Sequence, residues 1–119
     1  MKIDGTHFGD ITIDGTTYRH DVLIGLSGEV SKRKKKLSRK VYGTSHTVSR
    51  DEAEYVYEKG CKEVILGTGQ YDTVRLSPEA AEYFANQACT VIAKPTPQAI
   101  EAFNRSKAKK KIGLFHVTC

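Results

Sequence analysis

The sequence has no tryptophan, one methionine, three prolines and three cysteines. Each shortage excludes something. Cys61, Cys89 and Cys119 are odd in number, widely spaced and without a CxxC pair, so neither a zinc ribbon nor a disulfide framework is indicated. No stretch approaches the roughly 18 apolar residues that cross a bilayer. The start, Met1-Lys2-Ile3-Asp4-Gly5, reaches an acid by its fourth residue and has no apolar signal core. A reducing cytoplasm without membrane contact is the expected setting. The four histidines form no HxH or HExxH, and no GxxxxGK[ST] loop occurs. No metal and no cofactor are therefore implied.

What is present fits one domain: 119 residues, 39% apolar, with a net charge of +5. The charge is unevenly placed. Residues 32–40 hold seven Lys and Arg and no acid, so the rest of the chain, once those seven are subtracted from +5, carries −2. A second cluster, Arg105, Lys107, Lys109, Lys110 and Lys111, lies where cations would complement a helix C-terminus.

Hydrophobic patterning supplies the elements. Ile11 and Ile13 alternate with polar residues, Asp14-Gly15 can form a two-residue turn, and Tyr18, His20, Val22 and Ile24 return at period two. This predicts an N-terminal hairpin. Residues 25–48 show little periodicity and read as a long basic loop, functional or mobile. Ser49 and Glu52 have capping-box spacing ahead of a helical face of Ala53, Val56 and Tyr57. Val64-Ile65-Leu66 reads as a strand buried on both sides. Ser77-Pro78 opens a second helix lined by Ala80, Ala81, Phe84 and Ala88, and Thr90–Ala93 is the next buried strand. Thr96-Pro97 starts a third helix with Ala99, Ile100 and Phe103 inward, and residues 112–117 close the chain as a strand. The order hairpin, then α-β-α-β-α-β, predicts an α/β domain with helices packed on a mixed central sheet.

Phe8-Gly9, Ile11, Ile13, Gly15 and Tyr18, then Gly67-Thr68-Gly69, Pro95-Thr96-Pro97 and Gly113 to Cys119, together resemble the small Mth-domain family over nearly the whole chain. The resemblance implies a single compact three-layer domain over residues 1–119. It implies no settled reaction and makes a role in assembly or regulation the expectation. The chain departs from the family pattern in having no tryptophan after the hairpin and a stronger basic run there. It also has Ala88-Cys89 where a helix-ending glycine is expected.

Two functions follow as expectations. The first is a non-catalytic binding or assembly module, in which Lys34, Lys35, Lys36, Arg39 and Lys40 contact an acidic protein or nucleic acid. Only Tyr42 is close enough to that run to stack on a base. The alternative is a phosphate or carboxylate site, or a modest enzyme, built from the Gly67-Thr68-Gly69 turn, the same cations and His46. The cations should lower the His46 pKa and keep it neutral at pH 7. A dinucleotide fingerprint is excluded by Asp72 where a third glycine would stand. His116 and Cys119, three residues apart, should face opposite sides of a regular strand rather than pair. A partner-binding module needs an exposed basic surface, whereas a small-anion site needs the basic segment folded over a concave pocket.

Overall fold

The computed structural model describes residues 1–118. The elements are β1 (Ile3–His7), β2 (Asp10–Ile13), β3 (Thr16–Tyr18), β4 (Val22–Ile24), β5 (Val30–Lys32), α1 (Lys36–Tyr42) and β6 (Thr47–Val48). They continue as α2 (Arg50–Val56), β7 (Glu63–Gly67), β8 (Arg75–Leu76), α3 (Pro78–Asn86), β9 (Thr90–Lys94), α4 (Thr96–Arg105) and β10 (Lys111–Phe115). The central sheet runs β5-β4-β10-β7-β9, with β4 antiparallel to both its neighbours and β10, β7 and β9 mutually parallel. This is the mixed sheet expected from the sequence.

Period-two alternation divides the core across that sheet. Leu23, Val64, Leu66, Ile112 and Leu114 face α2 and α3, where Ala53, Val56, Ala80 and Phe84 meet them. Val22, Ile24, Ile65 and Phe115 face the other way, against α4 and the β1-β2-β3 meander through Ala99, Ile100, Phe103, Ile3, Ile11 and Ile13. Three layers result.

Asp14 and Gly15 take φ of 47° and 80°, the paired left-handed residues of a tight hairpin turn. The hairpin itself is β2-β3, and the returning strand is shorter than the sequence suggests. It breaks at Arg19-His20-Asp21, because Asp21 is drawn inward and β4 crosses to the central sheet. Residues 25–48, expected as a loop, instead contain β5, α1 and β6.

Three further expectations are corrected. Thr90–Lys94 is an edge strand, half-buried to exposed, since only β7 flanks it. Ala81 and Ala88 are exposed, leaving Ala80 and Phe84 as the buried face of α3. Thr96 does not cap α4: its hydroxyl donates to the His116 carbonyl at 2.7 Å and accepts from the Gly69 amide at 2.9 Å. The second basic cluster does serve a helix end, with Lys111 Nζ donating to the Phe103 and Ser106 carbonyls.

Candidate functional site: a buried ion cluster beneath a basic cleft

Arg33 sits just past β5, where its amide donates to the Asp21 carbonyl and turns the side chain inward. Its guanidinium is 1% exposed. It makes a bidentate pair with Glu52, Nε to Oε2 at 2.7 Å and Nη2 to Oε1 at 3.0 Å. Nη1 reaches Asp21 at 3.1 Å and Nη2 also donates to the Ser45 carbonyl at 2.7 Å. Glu52 is therefore no capping-box partner. Ser49 caps α2 alone, accepting from the Glu52 amide, while the Ser49 amide is taken by Ser38 Oγ. Ser38 in turn donates to Glu52.

Asp21 links this cluster to the end of the chain. Oδ2 accepts from His116 Nδ1 at 2.7 Å, and Oδ1 from the Val117 and Thr118 amides at 2.8 and 3.2 Å. Lys35 Nζ lies 3.6 Å from Asp21 and donates to Thr118 Oγ1 at 2.7 Å. Among the described residues no buried side-chain nitrogen or oxygen lacks a partner. Burial works to raise the Asp21 carboxyl, but hydrogen bonds from His116 and Val117, together with the nearby Lys35 charge, hold it well below the usual carboxylate range. Burial works equally against a charged Arg33, and the carboxylates of Glu52 and Asp21 overcome it.

Above this cluster the basic run bends round a concave cleft of about 530 Å³. Lys32, Lys34, Lys35, Lys36 and Arg39 line it, His20 stands at one side, and Asp21 and Arg33 line it from within the buried cluster. Lys32, Lys36 and Arg39 are exposed. Lys34 Nζ rests 4.7 Å from the Tyr55 ring centroid. Lys40 is not in the cleft: it pairs with Asp51 at 3.1 Å on the outer face of α2.

The composite anion site expected from the sequence is not assembled. The Thr68 amide donates to the Lys94 carbonyl and the Gly69 amide to Thr96, so neither is open to a ligand. Packing explains these glycines. A Cβ at Gly67 would stand 2.7 Å from Phe115, and one at Gly69, where φ is +101°, would stand 2.8 Å from His116 Cδ2. His46 lies away from the cleft, in edge contact with His116 at a 5.3 Å ring separation. Its pKa is lowered, by burial first and then by the positive charges of Arg33 and Lys35, in the direction expected.

Sequence reasoning missed Asp21, Glu52 and His116 as one unit and counted Arg33 among surface cations. The one available signal was the arginine itself, since its planar fork suits a buried carboxylate as lysine does not. Nothing local marked Asp21, whose partner His116 is 95 residues away. The expectation that His116 and Cys119 face opposite sides rather than pair involves Cys119, which lies outside the described residues. Cys61 and Cys89 are buried, with their Sγ atoms 3.5 Å apart, and burial together with Cys61 pushes the Cys89 thiol up to about 12.

Layered sheet, buried ion cluster and cationic cleft define a small α/β protein, and its relatives carry the same fold. Residues 3–114 match the family described as protein of unknown function (DUF498/DUF598), and the chain belongs to that family. The conserved hypothetical protein PH1505 from Pyrococcus horikoshii OT3 is 34% identical, with all of both chains covered and a TM-score of 0.92. The protein titled MT938 is 31% identical over 99% of this chain and 98% of its own, with a TM-score of 0.81. A Bordetella parapertussis protein at 15% identity, covering 98% of this chain and 94% of its own, shares the fold at a TM-score of 0.73. The small α/β family of unknown function indicated by the sequence motifs is thus the family found.

Proposed function

We propose that the protein is a binding module for a small, multiply charged anion of the polyphosphate or polycarboxylate class, held in the cleft of residues 32–39. The observation that carries this reading is the concavity of the basic run. Six cationic side chains line one cleft of about 530 Å³, inside the size range of small-molecule sites, and four of them, Lys32, Lys34, Lys36 and Arg39, are not paired with the buried acids. The buried acids beneath it are already neutralised by Arg33 and Lys35, so they do not cancel the field at its mouth. A flat acidic partner or a duplex would call for the same cations spread on an open face. Among the described residues no helix is long and apolar enough to cross a membrane, so a lipid span plays no part in the reading.

Thermal unfolding with inorganic phosphate, pyrophosphate, tripolyphosphate, citrate and a 20-base-pair DNA duplex tests it. Pyrophosphate or tripolyphosphate should raise the midpoint, reaching about 2.7 kcal/mol of stabilisation near 100 times Kd. The gain should shrink with added NaCl and vanish in a K32A/K36A/R39A variant. Stabilisation by the duplex alone would support the nucleic-acid reading instead. A gain that survives the triple substitution would place the anion elsewhere and overturn the assignment.

A further inference from the structure

His116, paired with Asp21, lines a second, smaller cavity of about 80 Å³ that shares no lining residue with the basic cleft. Its wall includes His116, His46, Gly69 and Thr73, and its lip includes Phe8 and Tyr71. We propose that this cavity is a second binding site, which takes the N–H or O–H group of a neutral aromatic ligand on His116 Nε2 and seats the ligand's ring against Phe8 and Tyr71.

Four observations converge on that class of ligand. The first is the fixed orientation of His116: with Nδ1 directed at the Asp21 carboxylate 2.7 Å away, the neutral ring carries its proton there and presents a lone pair at Nε2. The second is charge balance. Asp21 and Glu52 are matched by Arg33 and Lys35, so the cluster asks for no further charge from His116. Nε2 makes no hydrogen bond among the described residues and, since no fully buried side-chain nitrogen there lacks a partner, it opens onto the cavity.

The third observation is Gly69. It lies under the Cδ2–Nε2 edge of His116, and any side chain there would close the approach, since its Cβ would stand 2.8 Å from Cδ2 and 3.7 Å from Nε2. The fourth is the lip. Phe8 is 53% and Tyr71 77% exposed, with ring centroids 5.9 Å apart, so two large aromatic faces stand in solvent beside the recess that His116 lines. The recess is too small for a whole ring, because a cavity of roughly 150 Å³ is what admits benzene. The donor atom enters and the ring stays at the lip. A neutral ligand suits a recess whose wall, among the described residues, is mostly apolar surface and includes no carboxylate.

Indole and 1-methylindole test the proposal, because the protein has no tryptophan and indole fluorescence can be excited selectively. Indole should bind saturably and about tenfold more tightly than its N-methyl isostere, the difference a hydrogen bond to the recessed Nε2 supplies. Binding should also move the ¹⁵N resonance of His116 Nε2. An F8A/Y71A variant, altered only at exposed positions, should keep the parent's thermal midpoint and lose most of the affinity. Equal affinity for the two indoles, no saturable binding, or full affinity in F8A/Y71A would each overturn the proposal. The anion assay on F8A/Y71A should be unchanged, so failure of either site is read separately from the other.

Discussion

Removing the Arg33 guanidinium would strand two carboxylates, Asp21 and Glu52, whose side chains are each 1% exposed. An unpaired buried charge costs several kcal/mol, so Arg33→Ala should destabilise the fold by about 3–5 kcal/mol in urea unfolding. Adding Glu52→Gln should return part of that loss, because it removes one of the stranded charges; no recovery in the double variant would count against the pairing. Asp21 makes a separate, pH-dependent contribution. The folded carboxyl binds its proton more weakly than the unfolded one, whose pKa is about 3.9. Its stabilisation is therefore complete above that value and is lost as pH falls below it. Unfolding free energies taken from pH 7 down to pH 3 should fall more steeply for the parent than for Asp21→Asn, and parallel curves would refute the assignment. None of this was readable from residue spacing. Glu52 has an adequate local explanation in its distance from Ser49, and the real one depends on Arg33, nineteen positions upstream.

Elements were legible where their signals are local. Ser77 caps α3 by accepting from the Ala80 amide, with Pro78 in the first turn where no amide bond is lost. Thr96-Pro97 carries the same kind of signal, yet its hydroxyl is claimed by Gly69 and His116, which only the folded chain brings near. The end of α3 gives a clean test. Ala88 occupies φ of 55°, the conformation that favours glycine, at the position where the sequence lacks the expected one. An alanine held there costs about 1–2 kcal/mol, against roughly 0.5–1 kcal/mol of extra chain entropy that a glycine loses on folding. Ala88→Gly should raise stability by about 0.5–1 kcal/mol, measured as a shift in the urea midpoint at unchanged slope. An equal or lower midpoint would mean that exposed Ala88 is held by contacts that offset its backbone strain.

At the scale of the molecule, order along the chain and order in space are opposed. The last strand, β10, lies at the centre of the sheet, hydrogen-bonded to β4 on one side and β7 on the other. It supplies Ile112 and Leu114 to one core cluster and Phe115 to the other. Beyond it, His116 and Val117 anchor Asp21, which closes the ion cluster beneath the basic cleft. The hydrophobic run of β10 could be read directly, but its central place could not, because strand order is set by pairings between distant positions, such as Gly113 with Ile65, 48 positions away, and with Ile24, 89 away. Amide exchange separates this arrangement from one in which β10 is a peripheral addition. Central strands open only with global unfolding, whereas edge strands open locally at lower cost. The amides of β10 and β7 should share the slowest exchange and the same denaturant dependence as global unfolding. Those of β9 and β5, each flanked on one side only, should exchange through smaller openings. A β10 that exchanged as fast as β9 would mean the sheet and the ion cluster can form without it, and the cleft would then be independent of the C-terminal strand.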